Sequence, residues 1–158
     1  MPTGGALVVR QNKNWVFIVG NYTVTYDQFL ELGYKLLHKI KSKKDEYKAI
    51  LCPLRGGFFV SYFMSEHLKL PIIYLEISSY AGKDQREFKI GIKPDLEGGK
   101  FLLCDDIYDS GNTIKKIYSM YPDIEFDTIC LISKIKDAEV IYAALVEDQW
   151  VDFFWEVM

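Results

Sequence analysis

The densest chemistry in the chain lies between residues 101 and 114. The apolar run Phe101-Leu102-Leu103-Cys104 leads directly into Asp105 and Asp106. A third carboxylate, Asp109, follows three residues later, and Ser110-Gly111-Asn112-Thr113 then opens a helical segment. Two chemistries are packed together here. A turn at the head of a helix offers unpaired backbone N–H groups, two hydroxyls and the positive end of a helix dipole. That combination suits an anion, most naturally a phosphate. The acids just upstream suit a cis-diol and a hard cation such as Mg2+, which prefers carboxylate and substrate oxygens. Helix capping would account for one acid at such a place, but not for three.

A second short motif, Arg55-Gly56-Gly57, follows the apolar run Ala49-Ile50-Leu51-Cys52. Glycine lets a backbone approach an anion closely, and arginine adds a charged fork. Cys52, Cys104 and Cys130 are odd in number, far apart and set in apolar runs, with no CxxC. They read as buried hydrophobes in a reducing cytosol, not as a zinc site or a disulfide framework.

The elements that must position these motifs are legible from periodicity. Ala6–Val9 and Trp15–Val19 read as a small hairpin around a polar turn. Thr25-Tyr26-Asp27-Gln28 fits a capping box, followed by Phe29, Leu32, Leu36, Leu37 and Ile40 at helical spacing. The basic run Lys39–Lys44 reads as a solvated helix end. Strands are expected at 49–52, 71–77, 100–104, 126–132 and 140–146. Between them lie a helix with Val60, Phe63, Met64, His67 and Leu68 on one face and another over 113–120. Residues 78–99 show no clear periodicity and carry four glycines and many charges, which reads as a long functional loop. Near-continuous apolar strands alternating with helices predict an α/β fold with a mostly parallel central sheet flanked by helices. Ligands in such folds sit at the carboxyl ends of the strands, which directs attention to the loops after Cys52, Cys104 and Ile132.

The chain has 158 residues, which predicts one domain. It carries 19 basic and 22 acidic residues, a net charge of -3, which argues against a generic nucleic-acid binder. No apolar run approaches the ~20 residues needed to span a bilayer. The first residues, MPTGGALVVRQNKN, lack the pattern of a signal peptide. The expected location is therefore the cytoplasm, with no nucleic-acid partner and no membrane span.

The segment 101–114 resembles the PRPP-binding motif of the type I phosphoribosyltransferases: apolar strand, Asp-Asp, two residues, Asp, then Ser/Thr-Gly-x-Thr. (PRPP is 5-phosphoribosyl 1-pyrophosphate.) Tyr22–Asp27, Leu54–Gly57, Ile77–Tyr80, Asp84–Glu87 and Asp148–Val151 occur in the order and approximate spacing of the xanthine-guanine phosphoribosyltransferases. The resemblance covers about Tyr22 to Trp155 and leaves residues 1–20 as a short N-terminal extension of a single domain, 1–158.

The resemblance implies transfer of a 5-phosphoribosyl group from PRPP to a 6-oxopurine (guanine, xanthine or hypoxanthine) in purine salvage. It implies that Asp105 and Asp106 hold the ribose hydroxyls and Mg2+. Ser110, Gly111, Asn112 and Thr113 would hold the 5′-phosphate, and Asp109 would face purine N7 as the catalytic acid–base group. Arg55, Gly56 and Gly57 match the pyrophosphate loop. Residues 78–99 match a flexible hood, from which Arg86 would reach pyrophosphate. Trp150 matches the aromatic that stacks on the base, and the Val151 carbonyl would take the exocyclic 2-position. Lys134, or else Lys136, would donate to O6. A homodimer or homotetramer is implied. Two other functions stay open: transfer to adenine, uracil or orotate, and a non-catalytic PRPP- or nucleotide-binding regulator.

Overall fold

A computed structural model describes residues 7–11, 14–18, 22–81 and 86–157; side chains are described from Tyr22 onward, except at Ala81 and Arg86. The expected hairpin is present: β1 (Leu7–Gln11) pairs antiparallel with β2 (Asn14–Ile18), Leu7 opposite Ile18. Its expected outer residues, Ala6 and Val19, lie outside the described residues, as do Asp84 and Gln85.

After β3 (Tyr22–Val24) comes α1 (Tyr26–Ile40), which starts at the predicted capping box. The Thr25 hydroxyl accepts from the Gln28 amide at 3.2 Å, and the Gln28 side chain accepts from the Thr25 amide at 3.0 Å. Such a cap contributes about 1 kcal/mol. Phe29, Leu32, Leu36 and Ile40 are its buried stripe. An exposed 3-10 turn over Lys41–Glu46 carries the basic run into β4 (Tyr47–Leu54). Then follow α2 (Phe58–Leu68), β5 (Ile72–Ala81), β6 (Arg86–Ile90), β7 (Lys100–Tyr108), α3 (Asn112–Met120), β8 (Glu125–Ser133), β9 (Ile141–Leu145) and β10 (Val151–Phe153).

Six of these strands form one sheet in the order β6-β5-β4-β7-β8-β9, parallel except for β6. Strand alternation splits its side chains between two cores. Ile50, Leu102 and Ile129 pack with α1 and α2, whereas Leu51, Leu103 and Cys130 pack with Ile114 and Ile117 of α3. Burial on both faces is why these strands read as continuous apolar runs. All three cysteines are buried and free. Among the described residues, no helix is long and apolar enough to cross a membrane.

Two expectations need correction. Residues 78–99 are not one long loop: β5 continues to Ala81, and β6 returns antiparallel from Arg86, with Ser79 opposite Phe88. Leu75 and Ile77 of this hairpin are buried, with Phe88 and Ile90 half-buried against the same core. Glu76, Ser78, Tyr80, Glu87 and Lys89 are exposed. Past Ile77 the β5 segment is Ser78-Ser79-Tyr80-Ala81, and β6 alternates only Phe88 and Ile90, too little periodicity to read. His67, expected on the buried face of α2, is exposed and lies over the Phe63 ring at 4.3 Å.

The amino ends of β4, β7 and β8 are tied by charge. Lys100 lies 3.2 Å from Asp127, 3.5 Å from Glu46 and 3.6 Å from Glu125. The Tyr47 hydroxyl donates to Asp127 at 2.5 Å. The opposite, carboxyl end of the sheet is left for the loops.

Candidate active site

The strand order reverses direction at β4: β5 lies on one side of it and β7 on the other. A crevice opens at the carboxyl ends of two strands at such a switch point. The two motifs singled out from the sequence occupy it. Arg55–Gly57 is the turn leaving β4, and Asp105–Thr113 is the end of β7 running into α3.

The turn lies directly against β7. A Cβ built on Gly56 would sit 3.0–3.1 Å from the Asp106 carboxylate, and one on Gly57 would collide with the Cys104 carbonyl. Glycine is required here by close approach, since Gly57 itself has an ordinary φ of -79°. The Leu54–Arg55 peptide is cis. Arg55 is exposed at the mouth of a cavity of about 910 Å³ that Gly56, Phe59, Asp106, Trp155 and Glu156 also line.

Asp105 is buried, and Asp106 is half-buried. The Asp106 amide donates to the Asp105 carboxylate at 2.9 Å, and the Ile107 amide donates to that of Asp106 at 2.7 Å. Burial, and then the neighbouring Asp106 charge, pushes the Asp105 carboxyl well above its ordinary range. Burial likewise raises Asp106. Among the described residues, neither carboxylate forms an ion pair. Two adjacent, desolvated carboxylates without a counter-charge are a donor set that fits a hard divalent cation completed by substrate oxygens.

Beyond them, Asp109 and Ser110 are exposed, and Gly111 caps α3 with φ +81°. The left-handed conformation suits glycine, and a Cβ there would also strike the Tyr108 hydroxyl. The Asn112 amide donates to the Ser110 hydroxyl at 3.3 Å. Residues 105–114 line a cavity of about 290 Å³ at the head of α3, with Asp105, Asp106 and Asp109 contributing to it as well as the hydroxyl-bearing Ser110 and Thr113. It can take one phosphate group, with the helix dipole favouring the negative charge.

The remaining predicted residues arrive from two later segments. Lys134 follows β8, and its amide donates to the Tyr108 carbonyl at 2.8 Å, next to Asp109. Its ammonium reaches the Gln149 carbonyl at 2.6 Å, one residue before Trp150. Lys136 is exposed in the following bend and makes no such link. Trp150 is 63% exposed, with its indole N–H donating to Asp152 at 2.9 Å. Its carbonyl accepts from the Tyr22 amide at 2.7 Å, where β10 joins β3 in parallel. Successive carbonyls alternate along a strand, so that of buried Val151 points to the opposite edge. Arg86 is described by backbone alone, paired with Ala81.

Sequence reasoning missed Glu156. It lines the larger cavity, and its carboxyl is raised by burial and then by the Asp106 charge. Fifty residues separate the two acids, so no local spacing could have paired them.

Fold and site together define an α/β protein with a small cavity at a helix head beside paired carboxylates, at the switch point of a parallel sheet. Residues 25–157 match the phosphoribosyl transferase domain, and the chain belongs to that family. It is 25% identical over 138 residues to a xanthine-guanine phosphoribosyltransferase of Vibrio vulnificus, covering 86% of this chain and 89% of that protein. The solved xanthine-guanine-hypoxanthine phosphoribosyltransferase of Helicobacter pylori aligns at 29% identity with a TM-score of 0.69, over 87% of this chain and 94% of that one. A purine phosphoribosyltransferase from Pyrococcus horikoshii shares the fold at 22% identity, with a TM-score of 0.72 over 85% of this chain and 93% of that one.

Proposed function

We propose that this protein transfers the 5-phosphoribosyl group of PRPP to a 6-oxopurine base, giving the nucleoside monophosphate and pyrophosphate in purine salvage. The observation that carries this is the meeting of the Gly56–Gly57 turn with Asp106 and the Cys104 carbonyl, beside the loop 109–113. The similarity to xanthine-guanine enzymes supports the choice of base.

In this reading the loop Ser110–Thr113 binds the 5′-phosphate through amides, hydroxyls and the α3 dipole. Asp105 and Asp106 hold the ribose hydroxyls and are the residues that would hold Mg2+. Bound there, the ion would supply charge neutralisation for the departing pyrophosphate. The Gly56–Gly57 backbone and Arg55 bind that leaving group, with Arg86 reaching it from the β5–β6 hood. Closure of the hood excludes water, which competes with the base for a reactive sugar cation. Asp109, exposed beside the cavity, accepts the N7 proton and stabilises positive charge developing on the sugar. Trp150 stacks on the base, Lys134 donates to O6, and the Val151 carbonyl takes the exocyclic 2-position, where it accepts from the amino group of guanine. A 6-oxo group accepts the lysine hydrogen bond, and the amino group of adenine does not.

The proposal extends to a homodimer or homotetramer working in the cytoplasm, where three reduced buried thiols fit. The test is pyrophosphate release with Mg2+, PRPP and a panel of bases. Turnover with guanine, xanthine or hypoxanthine is expected, and silence with all three overturns the reading. Turnover with adenine, uracil or orotate alone moves the base, whereas PRPP binding without turnover on any base marks a regulator.

A further inference from the structure

Between the paired carboxylates and Asp109 stands Tyr108, which the proposed function leaves unused. Its ring is buried, 8% exposed, in the core cluster that also holds Ile114, Ile117 and Tyr121. Its hydroxyl lies directly against Gly111: a Cβ there would collide with the hydroxyl and lie 2.6 Å from the ring carbon that bears it. The side chain therefore runs from the end of β7 back under the head of α3. Tyr108 lines the 290 Å³ cavity together with Gly111, Asn112 and Thr113.

A buried tyrosine hydroxyl usually finds a partner. Tyr118 has Thr128, Tyr47 has Asp127, and Tyr121 has the Pro94 carbonyl. Among the described residues, the Tyr108 hydroxyl has none. Yet no fully sealed side-chain oxygen or nitrogen described here lacks a partner. The Tyr108 hydroxyl is therefore accessible, and the space that Tyr108 lines is the cavity. It is a donor held rigid by its buried ring, without a protein acceptor, in the wall of an anion site.

We propose that Tyr108 is a phosphate ligand whose hydroxyl donates a hydrogen bond to an oxygen of the phosphate held by the Ser110–Thr113 loop. This rests on the reading of that loop as a 5′-phosphate site. A hydrogen bond to an anionic oxygen is among the stronger kinds, and a donor already fixed by packing loses little entropy in making it. The same contact gives Gly111 a second duty: the absent Cβ leaves the space that the hydroxyl fills.

The test is calorimetric titration of the full-length protein and of Tyr108→Phe with ribose 5-phosphate, and separately with pyrophosphate. The Phe variant keeps the ring and removes the donor. Its affinity for ribose 5-phosphate should fall about ten-fold or more, with pyrophosphate affinity unchanged and the melting temperature shifted by no more than about 2–4 °C. In turnover the KM for PRPP should rise while kcat changes little. Unchanged affinity for ribose 5-phosphate overturns the inference. Equal weakening toward both ligands also overturns it, because that marks general loosening of the site. Failure of the unmutated protein to bind ribose 5-phosphate overturns it together with the phosphate site. Binding without turnover on any base sinks the transferase reading alone.

Discussion

Gly56 and Gly57 are neighbours, and the same substitution should fail differently at each. At Gly57 an alanine Cβ would meet the Cys104 carbonyl and come within 2.9 Å of both the Pro53 ring and the Pro53 carbonyl. The two carbonyls belong to the backbones of β7 and β4, which cannot yield without prying the turn off the sheet. Overpacking of this kind costs about 1–3 kcal/mol. At about 2–4 °C per kcal/mol for a chain of this size, Gly57→Ala should melt roughly 2–12 °C lower. At Gly56 the three atoms nearest the added Cβ all belong to the Asp106 carboxylate, at 3.0–3.1 Å. A side chain can turn away, so Gly56→Ala should cost no more than the hydrogen bond it disturbs, about 0.5–1.5 kcal/mol. The turn would break the Ile107–Asp106 hydrogen bond at 2.7 Å and displace a carboxylate proposed to organise ribose and metal. A displacement well under 1 Å at such a site should still lower kcat/KM about ten-fold or more. Thermal melts and pyrophosphate-release kinetics on both variants read the two effects separately. A Gly56→Ala protein that melts low but turns over fully, or a Gly57→Ala protein that melts with the parent, would refute the placement of the turn against β7.

Four further outcomes are expected. Asp109→Ala should fold normally, because the residue is exposed, and lose about 10²-fold or more in turnover; full activity would show that Asp109 has another role. Lys134→Gln should raise the KM for a 6-oxopurine about ten-fold and narrow the preference over adenine, while Lys136→Gln should do neither; the reverse pattern would exchange their roles. Asp105→Asn should abolish activity yet melt higher than the parent near neutral pH. Its carboxyl is held above the ordinary range by burial and the Asp106 charge, so the fold loses stability as pH rises through that raised value; a variant that melts lower at neutral pH would contradict this. Asp127 has the opposite sign. Burial alone would raise it, but hydrogen bonds from Tyr47 and Lys100, with the Lys100 and Lys43 charges, hold it below its ordinary value. Its contribution is present above the unfolded pKa and lost as pH falls through the folded one, so Asp127→Asn should flatten the acid limb of a urea-midpoint profile below about pH 4.

What was legible in the sequence was local or doubly buried. Thr25 and Gln28 announce α1 because a capping box involves only four consecutive positions. β4, β7 and β8 announce themselves because both of their faces are covered, leaving unbroken apolar runs. Asp105 through Thr113 were readable because one strand, one turn and one helix head carry the whole motif. The continuation of β5 beyond the expected strand 71–77 and its return as β6 were not readable, since Ser78–Ala81 holds no apolar run and β6 offers only Phe88 and Ile90 to the core. Nor was the parallel pairing of β10 with β3, which brings Trp150 to Tyr22 across most of the chain. Spacing alone also could not show that Lys134 is anchored twice, at the Gln149 and Tyr108 carbonyls, whereas Lys136 is exposed.

The most direct measurement is phosphorus NMR of a single tube holding the protein, Mg2+, PRPP and guanine, repeated with xanthine and with hypoxanthine. Phosphoribosyl transfer predicts that the PRPP signals give way, one for one, to free pyrophosphate and a nucleoside monophosphate, and that PRPP persists when base is omitted. PRPP left intact with all three bases, or pyrophosphate released with no nucleotide formed, would contradict it.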